Sequence, residues 1–203
     1  MKSLTKKIVQ TLAFALLALP AMGHASMRID NNTQHIVKFA IYQGDVIISK
    51  CFGMLPDQFF ITQDDPMLTV SATTIIRGNT YVSQSVGIET DRSADYDAVI
   101  HAGTRQQQFT LEQRDGSTVG ALNISNTLSE ETQFTFQSNG QTVQSIVVPA
   151  NSQKTLSLAR QYKIVVVVDG VTLDPVVTTN PNANFRVIST VDRDGNEGFE
   201  VQY

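Results

Sequence analysis

From Met27 onward the chain carries a two-residue rhythm of apolar and polar positions, the pattern of half-buried β-strands. Met27–Ile41 (MRIDNNTQHIVKFAI) alternates, breaks at Asn31-Asn32-Thr33, and alternates again. Two strands joined by a turn are expected there, with one face packed and one wet. The rhythm continues through VIISKCF, QFFIT, LTVSATTII, TYVSQSVGIET and YDAVIHA. Its punctuation is Gly44-Asp45, Pro56-Asp57, Asp64-Asp65-Pro66, Gly78-Asn79 and the polar loop Asp91–Asp95. Turn signals at this density predict about seven short strands, as in a sandwich or barrel. No segment has convincing helical periodicity. Gln161–Val168 (QYKIVVVV) is the most apolar run beyond the leader, and it reads as a strand buried on both faces.

The pattern is stated twice. Leu122–Phe136 (LNISNTLSEETQFTF) echoes Met27–Ile41 at a spacing of 95: Met27 matches Leu122, Ile29 Ile124, Asn31 Asn126, Phe39 Phe134 and Ile41 Phe136. Further on, Pro56 matches Pro149, the run from Val70 to Gly78 matches that from Tyr162 to Gly170, and Asp91–Val99 matches Asn180–Ile188. The spacing shrinks at turns, where insertions and deletions cost little packing. The expected fold is therefore all-β: two tandem immunoglobulin-like β-sandwiches arising from an internal duplication. The first spans 26–105 and the second 121–203. Between them, 106–120 should be a structured hairpin turning at Asp115-Gly116. A single continuous sandwich, with the copies as its halves, is the competing arrangement.

The first 25 residues change the address and the charge. Lys2, Lys6 and Lys7 precede the apolar run Ile8–Met22, and Gly23-His24-Ala25 supplies small residues for cleavage. This is the form of a signal peptide, and the run is short for a span needing about 20 apolar residues. The remainder, from Ser26, is expected to be exported, periplasmic or secreted, with no integral membrane segment. Three of the 15 Lys and Arg and none of the 19 Asp and Glu lie in the leader, so the remainder carries −7. An acidic chain without basic runs argues against nucleic acid and anionic membranes as partners. Cys51 is the only cysteine, so no internal disulfide forms, and in IISKCF it reads as a small core residue.

Local motifs for chemistry are sparse. Only His35 and His101 survive leader removal, and no metalloprotease, paired-cysteine or nucleophile-elbow motif occurs. No enzymatic activity and no cofactor are expected. Asp91, Asp95 and Asp97 form the densest carboxylate cluster and are the candidate ligands for a hard cation such as Ca²⁺, which takes six to eight oxygens. Their counterparts Asn180, Asn182 and Asn184 keep oxygen donors but lose the charge, which restricts such a site to the first half. Asp91, Arg92 and Ser93, with Asn180, Asn182 and Asn184, are the candidate binding-loop residues, since loops on a rigid scaffold commonly carry recognition. The stretch Asp192–Gly198 has the look of a cation loop but lacks its glycine and closing Glu, so Asp194-Gly195 reads as the turn of a final hairpin.

Leu122–Leu158 (LNISN…FTFQSNGQTVQSIVVPANSQKTLSL) resembles the second domain of the periplasmic chaperones that assemble pili. That resemblance implies paired immunoglobulin-like domains and capture of a subunit by strand donation. Asn31–Gln43 is similar to the opening of a rhizosphere-induced bacterial protein family. The expectation from the residues is an exported, non-enzymatic binding or structural protein that recognises a protein or glycan at the cell envelope through loops or an edge strand. The alternatives are a chaperone-like strand donor and a Ca²⁺- or carbohydrate-binding module.

Overall fold

Strands alone, with no helix, build the described residues, which in a computed structural model are 26–62, 67–89, 92–102, 107–116 and 118–203. The leader and Asp91 lie outside them. The first nine strands are β1 (Arg28–Asn32), β2 (Val37–Gln43), β3 (Val46–Met54), β4 (Phe59–Ile61), β5 (Leu68–Ile76), β6 (Asn79–Val82), β7 (Val86–Ile88), β8 (Ala94–Ala102) and β9 (Gln107–Asp115). The next nine are β10 (Ala121–Asn126), β11 (Thr132–Ser138), β12 (Gln141–Val148), β13 (Ser152–Ser157), β14 (Tyr162–Val168), β15 (Val171–Thr172), β16 (Val176–Thr178), β17 (Asn184–Val191) and β18 (Glu197–Gln202). Alternation sets the faces as expected: in β2, Val37, Phe39 and Ile41 are buried while Lys38 is exposed. In β11, Thr132, Phe134 and Phe136 take the same buried places.

The pairing departs from the expectation. Four sheets form, ordered β18-β17-β1-β4, β15-β14-β2-β3 with β16 beside β14, β13-β10-β8-β9, and β12-β11-β5-β6 with β7 beside β5. The first two stack through Phe39 and Phe60, whose rings meet edge-on at 5.1 Å. The other two are tied by the Tyr96 hydroxyl, which donates to Gly87 O at 2.8 Å. Each pair is consistent with a β-sandwich. One combines β1–β4 with β14–β18, and the other is the continuous run β5–β13. The sheets therefore do not divide at the boundary expected between 26–105 and 121–203; the leading strands of each half join the trailing strands of the other.

The exchange is consistent in register. Arg28 opposes Asn184 and Asn31 opposes Val187 in the parallel β1–β17 pair. Their counterparts Asn123 and Asn126 oppose Asp95 and Ala98 in β10–β8. The β2–β14 and β11–β5 pairs differ by a two-residue slip (Val37 opposes Val168, Thr132 opposes Thr74), which leaves every side chain on its original face.

Two further expectations are corrected. Residues 107–115 of the anticipated connecting hairpin are β9, paired antiparallel with β8, so β9 and β10 flank β8 and do not pair with each other. Gly116 is needed for close approach: a Cβ there would sit 2.6 Å from Ala94 N. In β14, Ile164, Val166 and Val168 are buried, whereas Lys163, Val165 and Val167 are half-exposed on the other face. The run of valines is one-sided. The turn Asp194-Gly195 does close a final hairpin, with Gly195 at φ +84° between β17 and β18. The left-handed residues Asp57 and Asn151 (φ 58° and 49°) mark matching corners, which places Leu55, and not Pro56, opposite Pro149.

Each half turns on a buried asparagine. Asn31 Nδ2 donates to His35 O (2.8 Å) and Met54 O (3.0 Å), and its Oδ1 accepts from Thr33 N (3.0 Å) and Thr33 Oγ1 (2.8 Å). Asn126 donates to Glu130 O, Val148 O and Pro149 O and accepts from Leu128 N. Both are essentially without solvent contact. The β3 and β12 edges of the two sandwiches meet through side chains. Gln144 Oε1 accepts from Ile47 N at 3.1 Å, its Nε2 donates to Asp45 O at 3.2 Å, and Ser138 Oγ donates to Ile48 O at 2.8 Å.

Candidate binding surfaces

Of the expected loop residues that are described, Arg92, Ser93, Asn180 and Asn182 are exposed or half-buried and make local contacts. Arg92 pairs with Glu89 at 3.2 Å, and Ser93 Oγ accepts from Gly120 N at 2.8 Å. Asn182 Oδ1 accepts from Ser26 N at 3.0 Å while Asn182 N donates to Asn180 Oδ1 at 2.9 Å. The two loops do corresponding work: each staples the start of one strand to the start of the parallel strand beside it. No hydrogen bond joins them to each other among the described residues. Asn184 opens β17 and is exposed.

Asp95 and Asp97 stand on the outward face of β8, the face opposite Tyr96, and not on a loop. Asp95 Oδ1 accepts from Asn123 Nδ2 at 2.6 Å, and Asn123 Oδ1 accepts from Thr155 Oγ1 at 2.6 Å. Asp97 pairs with Arg114, which also approaches Glu112 at 3.8 Å, and Glu112 lies 2.9 Å from His101 Nε2. The acids are thus partnered across the sheet. Among the described residues no group of three His, Cys, Asp or Glu is arranged to hold a metal ion. Asp91 is outside them.

His35 is the other polar centre. Its Nε2 is 3.2 Å from Glu197 Oε2 and its Nδ1 is 3.9 Å from Asp169, while Phe199 meets the ring edge-on at 5.1 Å. Ser189 Oγ donates to Glu197 Oε1 at 2.8 Å, and that bond, followed by the one to His35, holds the Glu197 carboxyl below its ordinary range. A nucleophilic triad needs the hydroxyl on the ring and the carboxylate behind it. Here the serine bonds to the carboxylate and not to the ring, which is not the order of a triad. Cys51 is half-buried and packs against the core. A shallow cleft of about 560 Å³ opens between β12, β13 and the β2–β3 turn, lined by Asp45, Gln144, Ile146, Lys154 and Leu156.

What the sequence pattern missed emerges only by comparing corresponding positions of the two sandwiches. On the edge strand β4, Phe59 opposes Asp30 and Ile61 opposes Arg28; on β13, Gln153 opposes Ser125 and Thr155 opposes Asn123. Phe59 is 56% exposed and Ile61 47%, with the Arg28 guanidinium 4.2 Å above the Phe59 ring. The same places thus carry a polar pair in one sandwich and an exposed apolar pair in the other.

The outward faces of the five-stranded sheets differ likewise. On β2 and β14 the face carries Lys38, Ala40, Tyr42, Lys163, Val165 and Val167. The corresponding face of β11 and β5 carries Gln133, Thr135, Gln137, Ser71, Thr73 and Ile75. Compared with known proteins, the chain matches no family model, no curated protein and no solved structure.

Proposed function

We propose that the protein is an exported, non-enzymatic binding protein of the bacterial cell envelope or extracellular space, recognising another macromolecule by the β4 edge. The leader pattern supports export. Two immunoglobulin-like sandwiches made by duplication and strand exchange would supply a rigid, cofactor-free frame. Against catalysis stand the two histidines, each of which meets a carboxylate and, among the described residues, no nucleophile.

The observation that carries the proposal is Phe59 and Ile61 beside their counterparts Gln153 and Thr155. The framework tolerates polar side chains at these positions, so packing does not require the apolar ones. Among the described residues β4 also ends its sheet, leaving one side of its backbone for an added strand. An exposed aromatic beside an Arg is the composition of a binding hot spot.

The double variant Phe59→Gln/Ile61→Thr installs the counterpart residues. In affinity capture from native envelope followed by mass spectrometry, the parent chain should retain a partner that the variant releases, with thermal unfolding unchanged. An identical set of captured proteins from both chains would overturn the assignment to this edge.

A further inference from the structure

We propose that the outward face of the β3-β2-β14 sheet docks on an anionic lipid surface. This face lies on a different layer from the β4 edge and does not depend on the function proposed for that edge.

Charge carries it first. The five strands of this sheet contain Lys38, Lys50 and Lys163 and no Asp or Glu, in a chain whose charge beyond the leader is −7. The nearest acids by sequence, Asp45, Asp169 and Asp174, sit in turns at the strand ends, and Asp45 is occupied by Ser157 N at 2.8 Å. Net charge sets long-range repulsion, but at contact the local field within a Debye length of about 10 Å decides. A lysine-only face is therefore attracted to an anionic surface even when the whole molecule is acidic.

The apolar part fits the same occupant. Val165 and Val167 are half-exposed between the lysines, giving a flat aliphatic centre with a cationic rim. The Lys163 ammonium lies 4.5 Å from the Tyr42 ring centroid, and that of Lys50 lies 4.4 Å from the Phe52 ring, which is 69% exposed. Lys50 also donates to Val143 O at 3.4 Å, placing it at the rim towards the second sandwich. Lysines and aromatic rings side by side match the headgroup zone, where amphipathic side chains rest their stems on apolar surface and hold their charge in water. A protein–protein interface carries about one hydrogen bond per 100–200 Å². The face offers few directional groups besides the ammoniums, which suits a fluid anionic surface better than a shaped protein one. The corresponding face of the other sandwich, with Gln133, Thr135, Ser71 and Thr73, carries no charge, although Ile75 and Val147 are exposed on it. The fold alone does not call for lysines here.

The test is co-sedimentation of the leader-free protein with equimolar phosphatidylglycerol/phosphatidylcholine vesicles and with pure phosphatidylcholine. Binding is expected only to the anionic vesicles, and should vanish in about 0.5 M salt. Lys38→Gln/Lys50→Gln/Lys163→Ser should lower the partition coefficient about a hundredfold, at roughly fivefold per lysine. Arg77→Gln/Lys154→Gln/Arg193→Gln, off this face, should leave most of the binding. Val165→Thr, which installs its counterpart, should weaken binding without altering its salt dependence, and it serves if the triple variant fails to fold. Absence of binding to anionic vesicles, equal loss from the off-face variant, or retention of polyglutamate in place of vesicles would overturn the proposal.

Discussion

Removing the Asn31 side chain tests what closes the first turn of the fold. Asn31 has no solvent contact and its amide serves four bonds, two donated to the carbonyls of His35 and Met54 and two accepted from Thr33. In Asn31→Ala the Thr33 N–H loses its side-chain acceptor, and a buried group left unpaired costs about 1–3 kcal/mol. The bonds to His35 O and Met54 O add about 1 kcal/mol each. His35 O keeps a second partner in Thr33 Oγ1 at 3.2 Å, which trims its share. The sum is about 3 kcal/mol, a large part of the 5–15 kcal/mol expected for a domain.

Urea unfolding followed by circular dichroism should show that loss as a lowered midpoint with unchanged slope. Asn31→Asp sharpens the test. It keeps the acceptor but turns an oxygen towards two carbonyl oxygens, so the buried carboxyl is held protonated and its folded pKa rises above the unfolded value of about 3.9. A raised folded pKa means stability present below pH 4 and lost as pH rises, so this variant should be worse at pH 7 than at pH 4. A loss under 1 kcal/mol for Asn31→Ala, or an aspartate variant indifferent to pH, would refute the role given to this side chain.

Other expectations follow from the same contacts. The Tyr96 phenol, pushed up to about 12 by burial first and by Glu89 second, should stay un-ionised in ultraviolet titration at a pH where a free phenol, at about 10, has already ionised; its contribution to stability, complete below pH 10, should disappear as pH rises through 12. Thr132 has no solvent contact and its hydroxyl has no partner among the described residues, whereas Val37 holds the corresponding place, so Thr132→Val should raise stability by about 1 kcal/mol, read as a higher midpoint in urea unfolding; a loss would contradict the assignment. Gly44→Ala must place a Cβ against the Ser157 carbonyl at φ +57°, while Gly170→Ala at φ +81° meets nothing; thermal unfolding should show the first clearly more damaging than the second, which should cost about 1 kcal/mol. A fragment of residues 67–158 should unfold cooperatively by circular dichroism, whereas 121–203 should not, because only the first contains complete sheets.

Much of this was legible in the residues. Alternation marked most of the strands, and the matched asparagines Asn31 and Asn126 fell where the two turns are locked. Pairing was not legible, for a physical reason. Alternation tells which side of a strand is buried but not which strand lies beside it, and β8 and β17 present interchangeable inward residues, Tyr96 and Ala98 against Phe185 and Val187. Exchanged and unexchanged pairings bury the same side chains. Two of the polar residues read as binding loops, Ser93 and Asn182, also serve as turn chemistry, bonding to backbone amides as Ser and Asn commonly do. The lysine face was hidden because valines on both sides of β14 erase the period-two signal. The edge pair Phe59 and Ile61 was hidden too, since exposure of an apolar residue is not written in its neighbours.

The exchange also sets an order of assembly. Ser26 and Asn182, hydrogen-bonded in the finished molecule, are 156 residues apart, so the β1–β4 segment is made first and cannot complete its sheets until the last strands exist. Meanwhile β5–β13 has every partner it needs and can close while synthesis continues. For that interval the opening strands hold unsatisfied edges, and late long-range pairing of this kind is slow. A chain built this way gains from having its opening strands shielded until the tail has been made, and those strands are the ones most in need of protection while the chain is incomplete.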